Sequence, residues 1–207
     1  IRPHFFLNAM TTISSLSQQG RNSEIQQYIA ALSKNIRYMF RSGLHTVTLG
    51  EEIRHVENYF EMQELKYPNC VFYFSDVPNE LVEWRIPQML IHTIIENEYK
   101  YAVSVDHMLT ILIKASMTTF NNEEMLMLEI EDDGEGYPEE FIEEFEKDTS
   151  TVTTSGERVG LHSIKRMMEL MYERKGLFLV SNIIPHGCKN TFYIPKHAVQ
   201  ELTENHS

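Results

Sequence analysis

The sequence predicts an α+β chain: a helical segment through about Leu65, then a two-layer α/β sandwich. Two observations carry this. Apolar residues recur at three- and four-residue steps in the first third of the chain and alternate at two-residue steps after Pro68. Strand-like and helix-like stretches then interleave, as in helices laid on one face of a mixed sheet. With 207 residues, one or two domains are expected. The boundary is placed near Tyr67–Val71, giving segments 1–67 and 68–207.

Taken in order, Ile25, Tyr28, Ile29, Leu32, Ile36, Met39 and Phe40 form one helical face. Gln18–Ser23 interrupts before it and Gly43 is its expected stop. Thr48-Leu-Gly-Glu51 has capping-box spacing, so a helix is expected from there to Pro68. No strand is expected before residue 60. Val71–Phe74 reads as a strand, and Pro87–Val103 as a helix with the proline in its first turn. Met108–Met117 and Glu124–Glu131 alternate around Asn121-Asn122, an antiparallel hairpin. Pro138–Lys147 is a short acidic helix, and the Thr- and Ser-rich stretch Asp148–Gly156 a mobile loop. Leu161–Tyr172 is a helix with Ile164, Met167, Met168 and Met171 inward, and Leu177–Ile183 and Lys189–Ile194 are closing strands.

Composition narrows the function. A net charge of −12 argues against a general nucleic-acid binder. No apolar run approaches the roughly 20 residues that cross a bilayer. Cys70 and Cys188 have no metal-ligand spacing, and a disulfide framework is not expected. The chain opens Ile-Arg-Pro-His without an initiator Met and is read as a piece of a longer protein.

Three constellations carry chemistry. In Glu131-Asp-Asp-Gly-Glu-Gly136, closely spaced glycines let the backbone approach a ligand, and a carboxylate at a strand end can accept from an exocyclic amine. Taken alone, it is equally an acidic turn. In Ile94-Ile-Glu-Asn-Glu-Tyr-Lys100, Asn97 and Lys100 are three apart and read as sharing a face. An amide oxygen there can ligate Mg²⁺ and an ammonium can meet phosphate, although a solvated helix face has the same pattern. Ser155-Gly-Glu-Arg-Val-Gly-Leu161 places a glycine at a helix start, where free amides favour anions; a plain helix start looks alike.

In this order, the Asn helix, the Asp-x-Gly-x-Gly turn and the Gly-Leu helix start resemble the ATP-binding domain of histidine kinases and of the gyrase, Hsp90 and MutL superfamily. Arg2-Pro-His-Phe-Phe-Leu-Asn8 is similar to the Pro-His-Phe-Leu-Phe-Asn phosphoacceptor motif of LytS/YesM-type sensor kinases. Leu49-Gly-Glu-Glu52, Tyr59 and Glu61-Met-Gln63 resemble that family's following helix. The resemblance covers the chain up to about Pro195. It implies a helical dimerisation and phosphotransfer segment ahead of a Bergerat-type ATP-binding fold. It implies His4 as phosphoacceptor, Glu96 as base or water-orienting group, and Asn97 as magnesium ligand. Lys100 is then the phosphate contact and Asp132 the acceptor from the adenine amine. Gly134 and Gly136 shape the pocket wall, and Gly160 and Leu161 end the ATP lid. The expected activity is ATP- and Mg²⁺-dependent autophosphorylation of His4 followed by transfer to an aspartate of a response-regulator receiver domain. The expected assembly is a homodimer, cytoplasmic, tied to a membrane only through upstream segments.

The sequence departs from the family in places. Glu98 and Tyr101 replace the Ala and His of Glu-Asn-Ala-x-Lys-His-Gly, and Asp133 replaces the Asn of Asp-Asn-Gly-x-Gly. Arg158 stands at the middle lid glycine, where it either binds phosphate or obstructs it, obstruction being favoured. A degenerate kinase that binds partners or nucleotide without turnover is therefore the alternative. The His motif argues against a third reading, a superfamily ATPase outside signalling.

Overall fold

A computed structural model describes residues 3–40, 45–120, 122–147 and 159–199. The expected loop 148–156, the stop at Gly43, and Asn121 and Arg158 lie outside the described residues.

Two helices come first, α1 (Pro3–Gln18) and α2 (Asn22–Met39), turning at Gly20, whose φ is +71°. They pack through Ala9, Leu16, Tyr28, Ala31 and Leu32. Next is a short strand, β1 (Thr46–Thr48), running directly into α3 (Leu49–Lys66). The Thr48 hydroxyl accepts from the Glu51 amide (3.1 Å) while the Glu51 carboxylate accepts from the Thr48 amide (3.0 Å), which is the expected capping box. α3 ends at Lys66, just before the expected Pro68.

β1 corrects the expectation of no strand before residue 60. It pairs antiparallel with β3 (Arg85–Pro87), and the Leu49 and Gly50 amides donate to the Trp84 and Val82 carbonyls. The Arg85 guanidinium grips Thr46 at its hydroxyl (2.7 Å) and carbonyl (2.5 Å). A β-branched Thr-Val-Thr triplet suits this pairing, but its partner lies some forty residues away. Pro87 is likewise corrected: it closes β3, and α4 (Leu90–Tyr101) begins after Met89, which takes a left-handed conformation (φ +66°).

The main sheet holds β2 (Val71–Asp76), β4 (Leu109–Phe120), β5 (Glu123–Asp132), β6 (Phe178–Asn182) and β7 (Cys188–Pro195) in the order β2-β4-β5-β7-β6. β2 and β4 are parallel and the remaining pairs antiparallel. Period-2 burial gives one apolar face: Ile111 and Ile113, then Leu126, Leu128 and Ile130, then Phe192 and Ile194. α4 and α6 (Val159–Tyr172) cover it, and α5 (Glu139–Lys147) adds Phe145. The α+β sandwich expected from the sequence is the architecture observed. α3 packs on α2 and on α4, so the helical segment and the sheet layer share one continuous core.

Candidate functional site

The apolar stripe of β5 runs Leu126, Leu128, Ile130 and then breaks: the next inward position is Asp132, 6% exposed. Its ladder partner on β7 is Cys188, whose thiol donates to Asp132 Oδ2 (2.5 Å). Asp132 Oδ1 accepts from the Gly134 amide (2.7 Å). A carboxylate has about four lone-pair sites, so capacity remains for a ligand donor. The carboxylate sits on a cavity of about 650 Å³ between α4, the strand ends and the turn 133–137.

The glycines earn their place by close approach. A Cβ on Gly134 would lie 2.9 Å from Asp132 Oδ1. Gly136 has φ +87°, and its Cβ would meet Asn182 Oδ1 at 2.7 Å. That Asn182 side chain brackets Tyr137, accepting from its amide and donating to its carbonyl. The Asp133 carboxylate, in place of the family's amide, accepts from the Thr110 amide (2.7 Å) and so ties the turn to β4.

α4 supplies the opposite wall through Asn97 and Glu98. The Asn97 amide nitrogen is buried without a hydrogen-bond partner among the described residues. With the amide turned, its oxygen stands there as a hard ligand, so the residue suits Mg²⁺. Gly160 lies in the first turn of α6, against α4. A Cβ on it would lie 3.3 Å from Asn97 Nδ2 and from Thr93, so this glycine lets α6 press against α4. Leu161, the next residue, lines the cavity.

Glu96 and Lys100 are not brought to this cavity. They line a second one, about 370 Å³, with Phe5 and Asn8 of α1, Tyr59 of α3 and Tyr67, which follows α3. The sequence spacing put Asn97 and Lys100 on one face; α4 lies wedged between two layers, and the 60° between these positions is enough to divide them. Lys100 instead sets its ammonium 4.6 Å from the Tyr101 ring centroid. His4 lies in the first turn of α1, the helix whose Phe5 and Asn8 face this second cavity.

Cys188 and Tyr137 are functional candidates the sequence does not announce, and Glu98, known from the sequence only as a departure from the family, joins them. The donor atoms of Glu98, Asp132 and Cys188 lie within 4.8 Å of one another, all buried. Burial first, then the Glu98 and Asp132 charges, push the Cys188 thiol far up, keeping it protonated as a donor. Burial also raises the Tyr137 hydroxyl, which donates to Asn190 Oδ1 (2.9 Å). Only the β5–β7 register could have announced Cys188, 56 residues beyond Asp132 in the chain.

Comparison with known proteins agrees with this geometry. The family model "Histidine kinase" matches residues 1–71, and "Histidine kinase-, DNA gyrase B-, and HSP90-like ATPase" matches residues 85–198. The chain belongs to the histidine kinase-, DNA gyrase B- and HSP90-like ATPase family, and within it to the LytS-type histidine kinases. Sensor protein LytS of Enterococcus faecalis is 26% identical over 94% of this chain and 32% of its own length. Sensor protein LytS of Bacillus anthracis is 23% identical over 97% of this chain and 33% of its own. The chain thus spans about a third of the curated relatives it matches. Among solved structures, the nucleotide-free catalytic domain of histidine kinase ThkA shares the fold with a TM-score of 0.54 and 21% identity, over 75% of this chain and 97% of that one. Histidine kinase AdeS of Acinetobacter baumannii does so with a TM-score of 0.51 and 14% identity, over 88% and 82%. No helix among the described residues is long and apolar enough to cross a membrane.

Proposed function

We propose that this chain is the catalytic region of a two-component sensor histidine kinase, with Mg-ATP in the Asp132 cavity and His4 as phosphoacceptor. One observation carries it: Asp132 ends an apolar strand face at a cavity that Asn97 also lines, with Gly134 and Gly136 in the turn that follows it. Asp132 accepts from the adenine amine and the Asn97 amide oxygen holds the metal. Mg-ATP bound there would supply the γ-phosphoryl group: a His4 imidazole nitrogen attacks the γ-phosphorus, the bond to the bridging oxygen breaks and ADP leaves, and the ring gives up a proton to leave a phosphoramidate. Glu96, which opens toward α1, is the residue on α4 suited to orient that imidazole. The phosphoryl group then passes to an aspartate of a response-regulator receiver domain. The solved complex of ThkA with response regulator TrrA, of the same fold (TM-score 0.50), supports such a partner.

In this reading residues 1–67 serve dimerisation and phosphotransfer and 68–207 bind ATP, with α3 bridging the two. Exposed Leu7, Met10 and Ile29 on α1 and α2 support a homodimer that completes a helical bundle. The relatives' greater length supports a cytoplasmic region tethered by segments outside this chain. Radiolabelled ATP with the purified chain and its His4→Gln variant is the test. Acid-labile label on the unmodified chain and none on His4→Gln is expected. Label retained on His4→Gln would remove His4 from the reading.

Glu98 favours the second reading, a degenerate kinase. It sets another buried carboxylate beside Asp132, at a position where the family has a small residue. Nucleotide binding without labelled His4 would select it.

A further inference from the structure

α4 has an unusual start. Its N-cap residue is Met89, left-handed and without a side-chain cap, so the first-turn amides need a partner from elsewhere. They find it in α3. Glu52 Oε2 accepts from the Met89 amide (3.1 Å) and Oε1 from the His92 amide (3.1 Å). The carboxylate is 0% exposed. Its other bond comes from α2: the Tyr38 hydroxyl donates to Oε2. Around this point Gln88 Nε2 donates to the Tyr38 carbonyl (2.6 Å). The His55 ring stacks between Tyr38 (centroids 3.9 Å) and His92 (4.7 Å). Three helices thus meet at one carboxylate.

We propose that Glu52 is a positioning residue for the nucleotide-binding helix: held by Tyr38 of α2, it caps α4 in place of Met89 and sets where α4 presents Asn97. This rests on the reading of Asn97 as metal ligand. Asn97 lies two turns from the helix start, roughly 10 Å along the axis. The intervening Leu90, Ile91, Ile94 and Ile95 are fully buried, so the helix moves as a rod. Its far side is closed by Gly160 against Asn97 and Thr93, leaving a rotated α4 no slack. A buried carboxylate is a costly way to cap a helix, since a neutral side chain at the N-cap itself does the same locally. Reaching the cap from α3 adds a connection between the hairpin that carries His4 and the cavity that would hold nucleotide. A displacement of α2 pulls on Tyr38, and Tyr38 pulls on the group that fixes α4.

The test compares Glu52→Gln, Tyr38→Phe and Val56→Ala in the whole chain. Val56 is buried on the same helix α3 but is no part of the cap, so it controls for lost stability. Amide hydrogen exchange along α4 and the affinity for ADP with and without Mg²⁺ are measured. Glu52→Gln is expected to speed exchange at Met89 and His92 at least tenfold. It should also weaken Mg-ADP about tenfold while metal-free ADP changes less than threefold. Tyr38→Phe, which leaves the amides capped, should show the same pattern at two- to threefold. Val56→Ala should show neither at equal loss of melting temperature. Exchange on α4 unchanged in Glu52→Gln, or matched by Val56→Ala, overturns the proposal. Should the unmodified chain bind no ADP at millimolar concentration, the nucleotide reading fails on its own. Exchange at Asn97 then still decides whether Glu52 sets that helix, faster exchange supporting it and unchanged exchange refuting it.

Discussion

The two sides of α4 differ in kind. One side, with Asn97 and Glu98, closes the Asp132 cavity with acceptors and buried acids. The other, with Glu96 and Lys100, opens toward α1 and a ring of tyrosines. A helix one residue wide at its boundary thus serves two neighbours, and adjacent residues of one motif take separate tasks. Motif adjacency is therefore a poor guide to which cavity a side chain enters.

This contrast can be broken or sharpened experimentally. The largest effect is expected at Gly187→Ala. A Cβ there would lie 2.2 Å from the Asp132 carbonyl oxygen at φ +115°, so the turn beside Cys188 must shift. We expect about 4 kcal/mol lost in urea unfolding, combining left-handed strain and overpacking. A neutral result would mean that the Asp132 wall yields freely.

Next comes acid on the helical side. Burial lowers the His55 imidazole from 6.5 to about 4. Its neutral form is favoured in the fold, so its stabilisation is complete above pH 6.5 and is lost as pH falls toward 4. The shift amounts to roughly 3 kcal/mol. Glu52 opposes it: burial raises its carboxyl, so its contribution is greatest at low pH and fades as pH rises through the folded value. His55→Phe, which keeps the stack, should flatten the loss between pH 6.5 and 4 in thermal melts. An unchanged slope would assign the acid lability elsewhere.

Asp132→Asn should weaken ADP by about 2 kcal/mol, because the adenine amine then faces a poorer acceptor. Calorimetry showing equal affinities would remove Asp132 from base recognition. Glu98→Ala should act in the opposite direction, tightening ATP by about 1 kcal/mol as a carboxylate leaves the polyanion's neighbourhood. Weaker binding in that variant would instead make Glu98 a ligand contact. Lys100→Ala should change ADP affinity least, by less than about 0.5 kcal/mol, since a charge in the other cavity acts only through solvent. A loss equal to that of Asp132→Asn would collapse the division of α4.

What the sequence revealed follows from range. The capping box at Thr48, the hairpin around Asn122 and the inward Met face of α6 are all local patterns, and they were legible. β1 was not, because Thr46–Thr48 becomes a strand only when Arg85–Pro87 arrives beside it. Asp132, Gly134 and Gly136 were singled out by a contiguous motif. Cys188 and Gly187 complete the same wall from a strand whose register no local pattern specifies. Glu52 was read as part of a helix pattern, and nothing near it in sequence says that its partners are Tyr38 and the start of α4. Lys100 lines a different cavity from Asn97 because helical spacing gives an angle but not which neighbour fills it.

The position of β5 in the sheet bears on the order of folding. Its pairing with β4 closes across a tight hairpin, a microsecond-scale local event. Its pairing with β7 closes a loop of more than fifty residues that contains two helices and a strand. Loop-closure entropy makes the second step slow relative to the first. Asp132 therefore spends part of folding on a formed hairpin edge, without the Cys188 thiol or the Gly187 turn beside it. The Asp132–Cys188 wall is a product of late assembly, so a nascent chain has α1 and α4 before it has the cavity that this wall closes.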